Sequence, residues 1–119
     1  MPPGLAVTAD ERDLERAVGN VVRNAMRYAG HAGPIRVTAA WSNGRIQIAV
    51  ADSGPGVPPH ALERLFEPFY RIDPSRDRKS GGTGLGLAIA RAAVEASGGH
   101  IVCRNRTPSG LEVVMTLPS

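Results

Sequence analysis

The order of helical and strand-like segments along this chain predicts a two-layer α/β (α+β) sandwich. A long amphipathic helix pattern comes first, two β-rich runs joined by Asn43-Gly44 follow, and a second helix pattern leads into two closing β-rich runs. Helices that alternate with strand pairs pack on one face of the sheet that those strands build. We therefore expect a mixed, mostly antiparallel sheet covered on one face by about three helices.

The first helix is predicted over residues 10–29. Asp10 is a good N-cap, and Gly30 ends the pattern. Apolar residues recur between them at helical spacing. They are Leu14, Val18, Val21, Val22 and Ala25. This stripe predicts the face of the helix that packs into the core.

Two strands are predicted over residues 35–41 and 45–51, which are rich in Ile, Val and Thr. Asn43-Gly44 between them is a strong hairpin turn, because both residues accept a positive φ. Prolines then break the strand pattern, and a short helix is expected around residues 60–65.

No periodicity is visible over residues 66–83, and we expect a long loop of the kind that is functional or mobile. A second helix is predicted from about 85 to 97, ended by Gly98-Gly99. Its predicted inner stripe consists of Leu85, Ile89, Ala92, Ala93 and Ala96. Strands over about 100–106 and 111–117 close the chain.

Length and composition indicate one domain over residues 1–119 and argue against several function classes. The hydrophobic fraction of 42% and charged fraction of 21% are typical of a globular chain. The net charge is +3, the basic residues are spread along the sequence, and only five aromatic residues are available for stacking. Both observations argue against a nucleic-acid surface. Cys103 is the single cysteine, so no internal disulfide can form. No apolar run approaches the roughly 18 residues of a membrane helix, so we expect no membrane insertion of this segment.

The first predicted helix carries a polar line that packing does not explain. Asn20, Asn24 and Tyr28 recur four residues apart, and Arg27 lies beside them on the same face. Carboxamide oxygens are neutral, hard ligands suited to Mg²⁺, which takes further oxygens from phosphates and water. Exposed or core-satisfied amides remain the alternative interpretation.

Asp52-Ser-Gly-Pro-Gly56 follows the second predicted strand. A carboxylate at a strand end can accept a hydrogen bond from the exocyclic amine of adenine, and glycines let the backbone approach a flat ring. The alternative is an ordinary turn, in which Asp and Gly are common.

Gly81-Gly-Thr-Gly-Leu-Gly86 leads directly into the second helix, where backbone N–H groups and the helix dipole favour an anion. It is neither a P-loop nor the dinucleotide fingerprint, because the required Lys and the preceding strand are missing. A flexible hinge is the alternative.

Phe66-Glu-Pro-Phe69-Tyr-Arg71 precedes the chain's one local basic cluster, which consists of Arg71, Arg76, Arg78 and Lys79. The aromatic residues can anchor one end of a loop, and the cations can close over phosphates as a lid. The alternative is a solvated loop of mixed charge, in which Arg71 is the best individual candidate for a functional role.

In this order and at these spacings, the four motifs resemble those of the ATP-binding catalytic domain of bacterial sensor histidine kinases. That family shares a superfamily with the gyrase B subunit, the mismatch-repair clamp and a heat-shock chaperone. The matching segments are an N box at Asn20–Tyr28, a first glycine box at Asp52–Val57, an F box at Phe66–Arg71 and a second glycine box at Gly82–Ile89. The resemblance covers nearly the whole chain and implies the family's α/β sandwich.

The resemblance implies a role for each matching position. Asn24 would coordinate Mg²⁺, with Asn20 close to the metal and phosphates. Arg27 would reach a phosphate, Tyr28 would line the adenine pocket, and Asp52 would accept the N6 amine of adenine.

Further matching positions complete the implied ATP site. Gly54, Gly56 and Val57 would shape the adenine pocket, and Arg71 would act from the lid. Asn20, Asn24 and Arg71 are the implied catalytic residues. The remaining positions surround the triphosphate, and they are Gly82, Thr83, Gly84, Leu85, Gly86 and Leu87.

The sequence departs from its relatives in ways that bear on the reaction. Arg23 stands where many relatives have an acidic residue. In gyrase-type relatives a Glu activates the attacking water, whereas Asn20 occupies the corresponding position here and is not a base. We therefore expect slow hydrolysis and donation of the γ-phosphate to another nucleophile.

The phosphate acceptor is expected to lie elsewhere. None of the three histidines, His31, His60 and His100, begins the family's phospho-acceptor motif. The resemblance thus implies a magnesium-dependent transferase of two-component signal transduction. It would phosphorylate a histidine on the parent's own dimerisation and phospho-acceptor domain, which meets a cognate response regulator in the phosphorelay. It further implies a cytoplasmic domain of a parent protein anchored in the bacterial membrane.

Two other functions remain open at this point. One is an ATPase or clamp domain of the gyrase type, which would turn over ATP steadily even with Asn20→Ala. The other is a binding or scaffold module with a vestigial nucleotide site, which would bind no nucleotide.

Overall fold

The computed structural model describes residues 11–29, 32–70 and 85–118, and for Glu11 and Tyr28 it describes the backbone only. Predictions that concern Asp10, Gly30, His31 and most of the loop at 66–83 lie outside these residues. The helices are α1 (Glu11–Ala29), α2 (Pro59–Leu62) and α3 (Gly86–Ala96). The strands are β1 (Arg36–Ser42), β2 (Arg45–Ala51), β3 (His100–Asn105) and β4 (Leu111–Pro118).

The strands form one sheet with the order β1-β2-β4-β3. Each neighbouring pair is antiparallel. The first hairpin turns at Asn43 and Gly44, whose φ angles are 51° and 73°. Two positive φ angles match the right-handed twist of the flanking strands, which is why Asn-Gly is favoured there. The predicted hairpin is confirmed.

One face of the sheet is buried by α1 and α3, which pack against each other. The covered face presents Ile46, Ile48 and Val50 of β2, all nearly inaccessible to solvent. Because side chains alternate across a strand, the intervening residues of β2 face the open side of the sheet. The structure is therefore the expected two-layer sandwich.

The two long helices differ in how well their buried faces are predicted. In α1, Val21 and Ala25 are buried as expected. In α3, Ile89 is 38% exposed, and the predicted inner stripe is wrong except for Ala93. The buried residues of α3 are Leu87, Ala90, Ala93 and Val94. Apolar residues lie on both flanks of α3, so periodicity alone does not identify the flank that faces the core.

Candidate functional site

Asp52 lies immediately after β2 and is buried, with 3% of its surface exposed. Its Oδ1 accepts the N–H groups of Gly54 at 2.9 Å and of Leu111 at 3.0 Å. Its own N–H donates to the carbonyl of Leu111 at 3.0 Å, and Arg106 donates to its carbonyl oxygen. A buried carboxylate is costly unless it is hydrogen-bonded, and these bonds fix both its position and its orientation.

The segment from Asp52 to Val57, which we call the Asp52 loop, approaches α1 too closely for a side chain at Gly54. A β-carbon on Gly54 would lie 2.9 Å from the Cα of Ala29, near the end of α1. The backbone of α1 cannot yield easily at that distance, so glycine is required for packing. The sequence prediction concerned approach to a flat ring and stays a prediction, whereas the close contact observed at Gly54 is with a helix of the same chain.

Gly56 changes the direction of the Asp52 loop. Its φ of 75° lies in the left-handed region, and a β-carbon there would lie 2.6 Å from Oδ1 of Asn105. The next residue, Val57, is buried in the core. Asn105 accepts the N–H of Val57 at 2.9 Å and donates to its carbonyl at 2.7 Å.

Asn105 and Arg106 are contacts of the Asp52 loop that sequence reasoning missed. They lie at the end of β3 and just beyond it, far along the chain from the residues they bond. No local pattern connects the two segments. A polar pair beside the Pro108-Ser-Gly110 turn indicates only a loop.

Asn24 and Asn20 lie along one side of α1. Asn24 is buried at 8% exposure, and it is one of three buried polar residues among the described ones, with Asp52 and Thr116. Asn24 and Asp52 are both predicted site residues, and both are largely inaccessible to solvent. Asn20 is half-buried, and its Nδ2 donates to the carbonyl of Arg16 at 2.8 Å. Its Oδ1 accepts from Arg23 at 3.3 Å.

The predicted N box and second glycine box meet at the start of α3. A β-carbon on Gly86 would lie 3.6 Å from Oδ1 of Asn20, so the two residues are in contact range. Leu85 is the N-cap of α3, and a leucine has no polar atom with which to cap the first N–H groups. The first turn of α3 carries no acidic residue. This helix end therefore suits an anion.

Several predicted site residues are placed only partly or not at all. Arg27 lies in the last turn of α1 and is half-buried. The side chain of Tyr28 lies outside the described residues. So do the lid arginine, Arg71, and the first three residues of the second glycine box, Gly82, Thr83 and Gly84.

Within the described ranges, no group of three or more His, Cys, Asp and Glu residues could hold a metal ion. The α1 side of the site offers the carboxamide oxygens of Asn20 and Asn24. Neutral oxygens of this kind fit Mg²⁺, which takes further ligands from phosphates and water.

A groove of about 560 Å³ runs between the first half of α1 and β1, away from Asp52. Its walls include Leu14, Val18, Val37 and Ile48, and Glu15 is its charged residue. An apolar wall with an acidic side chain does not suit a triphosphate, so this groove is not the candidate nucleotide site.

Residues 9–119 match the family model described as histidine kinase-, DNA gyrase B-, and HSP90-like ATPase. The chain belongs to this family. The sensor histidine kinase CpxA of Escherichia coli (strain K12) is 45% identical over 118 residues, which cover 98% of this chain and 25% of that protein. The chain thus spans about a quarter of the length of this curated relative.

Solved structures place this ATPase-family chain among the sensor kinases. The mycobacterial sensor histidine kinase MprB matches with a TM-score of 0.81 and 30% identity, over 94% of this chain and 76% of that one. The catalytic domain of the histidine kinase ThkA matches with a TM-score of 0.79 and 32% identity, over 92% and 68% of the two chains. The resemblance inferred from the motifs and the α/β sandwich are both confirmed. Among the described helices of this kinase-type domain, none has the length and apolar character needed to cross a bilayer.

Proposed function

We propose that this domain binds Mg-ATP and donates the γ-phosphate to a histidine on a separate dimerisation and phospho-acceptor domain. The observation that carries the proposal is Asp52, a buried carboxylate held after β2 by two backbone N–H groups. Residues 1–119 form a single domain in this proposal, and residues 66–83 form its lid.

The adenine end of the site is assigned to the Asp52 loop. Both N–H groups bond Oδ1 of Asp52, which leaves Oδ2 to accept the N6 amine of adenine. Gly54, Gly56 and Val57 set the path of the backbone around that carboxylate. Tyr28 is proposed to line the same pocket. Guanine has no amine at the corresponding ring position, so Asp52 would select adenine.

The phosphate end is assigned to the start of α3 and the residues before it. Leu85, Gly86 and Leu87 are proposed to line the phosphates at the first turn, where the helix dipole favours negative charge. Gly82, Thr83 and Gly84 would extend the same cradle. Arg27 from α1 and Arg71 from the lid would neutralise further phosphate charge.

Magnesium is assigned to Asn24, with Asn20 close to it. The buried carboxamide of Asn24 is supported as a ligand by its position on the same side of α1 as Asn20, which contacts Gly86. When bound, the ion would offset phosphate charge and hold the triphosphate in one geometry. The residues of this chain would orient the ATP, exclude water and leave the γ-phosphate open to an incoming nucleophile.

Donation rather than hydrolysis is favoured by the chemistry of α1. Asn20 has no basic atom, so it cannot activate water as a carboxylate would. Its oxygen already accepts from Arg23 and its nitrogen donates to Arg16. Phosphoryl transfer depends mostly on positioning and charge neutralisation, which this site can supply to an imidazole held on another domain.

The partners follow from that reaction. The direct partner would be the phospho-acceptor domain of the parent kinase, and a response regulator would then take the phosphate from that domain. We place this domain on the cytoplasmic side of a parent protein anchored in the bacterial membrane.

The proposal is tested by mixing this chain with a separately produced acceptor domain and γ-labelled ATP with Mg²⁺. We expect label on the acceptor domain that is acid-labile and base-stable, as phosphohistidine is. Steady release of free phosphate without a labelled acceptor would instead indicate an ATPase of the gyrase type. Replacing the acceptor histidine with Gln is the control that should abolish the label.

A further inference from the structure

The side chain of Asn105 makes the two backbone hydrogen bonds with Val57 of the Asp52 loop that a neighbouring strand would otherwise make. Its Oδ1 accepts the N–H of Val57 at 2.9 Å, and its Nδ2 donates to the carbonyl of Val57 at 2.7 Å. A single carboxamide therefore satisfies both backbone groups of a residue that lies beyond the end of β2. Backbone groups at such a position need a partner, and here a side chain supplies it.

Gly56 and Asn105 are sterically matched. The β-carbon that any other residue would bring to position 56 falls 2.6 Å from Oδ1 of Asn105. The Asn105 side chain thus lies where a side chain of the Asp52 loop would otherwise be, and the positive φ of Gly56 directs Val57 toward it. The contact depends on both residues.

Both ends of the Asp52 loop are held by one pair of residues in the β3–β4 ladder. Asn105 and Leu111 are directly opposite in the antiparallel register. Leu111 bonds Asp52 at the start of the loop through its N–H and its carbonyl, and Asn105 bonds Val57 at the end. The separation of the two loop ends is therefore set by the width of one strand pair.

We propose that Asn105 is a positioning residue for nucleotide binding, which acts through the backbone of Val57 to hold the Asp52 loop in its binding conformation. The inference rests on the proposed function, because it assigns Asn105 to the adenine end of that same site. Without the carboxamide, Val57 loses both backbone hydrogen bonds to Asn105 and that end of the Asp52 loop becomes less ordered, while Asp52 itself stays bonded to Leu111. Binding must then order the loop, which costs affinity.

The test is calorimetric titration of a non-hydrolysable ATP analogue with Mg²⁺ into the wild type and Asn105→Ala, repeated with inorganic triphosphate. We expect Asn105→Ala to weaken binding of the ATP analogue by roughly tenfold and to leave triphosphate binding unchanged. The tenfold scale corresponds to part of the free energy of two neutral hydrogen bonds. Hydrogen exchange at the Val57 amide should become faster in the same variant, with or without nucleotide.

Arg104→Ala is the matched control. Arg104 precedes Asn105 in β3, so its side chain lies on the opposite face of the strand, where it pairs with Glu112 at 2.6 Å. Its loss should leave the affinity for the ATP analogue unchanged. If Arg104→Ala weakened binding as much as Asn105→Ala, the effect would belong to the strand and not to the carboxamide.

Asn105→Asp provides a second variant should Asn105→Ala fail to fold. It keeps an acceptor for the Val57 N–H and loses the donor to the Val57 carbonyl, so we expect a loss of a few-fold that is confined to the adenine nucleotide. Wild-type affinity in the variant that folds, or an equal loss for inorganic triphosphate, would overturn the role of Asn105. Failure of the wild type itself to bind the ATP analogue would instead overturn the proposed function.

Discussion

The two ends of the proposed nucleotide site are built differently. At the adenine end, Asp52 is fixed by the backbone of Gly54 and by Leu111 of β4, and Val57 is fixed by Asn105 of β3. At the phosphate end, the amide of Asn20 bonds Arg16 and Arg23 of its own helix. The first end is therefore held by the sheet before any ligand arrives, whereas Asn20 must exchange local contacts for ligand contacts. We infer that base recognition is preorganised and that phosphate recognition is completed by the ligand.

The largest effect is expected at the adenine end, from Asp52→Asn. The asparagine oxygen can still accept from Gly54 and Leu111, so the loop should keep its shape. Its amino group would then face the N6 amine of adenine, donor against donor. Hydrogen bonds to a charged group are worth about 1.5–3 kcal/mol, so we expect an ATP analogue to bind roughly a hundredfold more weakly by calorimetry.

Inorganic triphosphate separates this effect from general damage, since Asp52→Asn should not change its affinity. Ser53→Ala is the neighbouring control, because within the described ranges the hydroxyl of Ser53 donates to the carbonyl of Pro34, at 3.5 Å, and not to the carboxylate. Equal weakening of ATP and triphosphate by Asp52→Asn would remove Asp52 from the adenine pocket.

A smaller effect is expected at the phosphate end, from Asn24→Ala. Loss of this proposed magnesium ligand should weaken binding of the ATP analogue by only roughly tenfold with Mg²⁺ present, because the ion keeps its phosphate and water ligands. Without Mg²⁺ the loss should be far smaller. The ratio of the two dissociation constants is the measurement. Met26→Ala, which changes an exposed residue of the same helix, should leave that ratio unchanged. The same loss with and without Mg²⁺ would assign Asn24 to packing.

Alanine substitutions at Gly54 and Gly86 compare the two ends through the free energy of unfolding, without any ligand. Gly54→Ala would force a methyl group to within 2.9 Å of the α1 backbone, and such overpacking costs about 1–3 kcal/mol. In contrast, a β-carbon on Gly86, the first residue of α3, would meet Asn20 at an ordinary 3.6 Å, so Gly86→Ala should change the free energy of unfolding little. Urea unfolding of both variants measures the difference. Equal free energies of unfolding would contradict the tighter packing of the adenine end.

The smallest effect concerns Cys103, whose thiol donates to the carbonyl of Leu62 at the end of α2, at 3.2 Å. Burial raises the pKa of this thiol from 9.0 to about 11. The unfolded chain therefore releases the proton first. The contribution of the thiol is fully present below pH 9 and is lost as pH rises through about 11.

Urea unfolding of the wild type and Cys103→Ser between pH 8 and 11 checks this dependence. The wild type should lose more of its free energy of unfolding over that range than the variant. Parallel pH profiles would show that Cys103 is not buried as described.

A structural feature could be predicted from the sequence where the contacts that fix it are between residues close along the chain. The Asn43-Gly44 turn was predictable because two adjacent residues set its geometry. Asp52 and Asn24 were predictable as site candidates because Asp52 directly follows a predicted strand and Asn24 repeats Asn20 at helical spacing. The family resemblance supplied the rest of the proposed site.

Non-local contacts escaped prediction. The partner of Val57 is Asn105, and nothing near either residue indicates the other, because only the register of β3 against β4 brings them together. The inner face of α3 was predicted wrongly for a similar reason. Leu87 and Ile89 are equally apolar, and only the packing of α3 against α1 and the sheet buries the first and exposes the second.

If the adenine end is preorganised around Asp52, the wild-type domain should bind adenine nucleotides more tightly than guanine nucleotides. The most direct measurement is calorimetric titration of the wild type with matched non-hydrolysable ATP and GTP analogues in the presence of Mg²⁺. We expect micromolar binding of the ATP analogue and binding of the GTP analogue weaker by at least roughly tenfold, the value of one hydrogen bond to a carboxylate. No heat with the ATP analogue at high micromolar concentration, or equal affinity for the two bases, would contradict it.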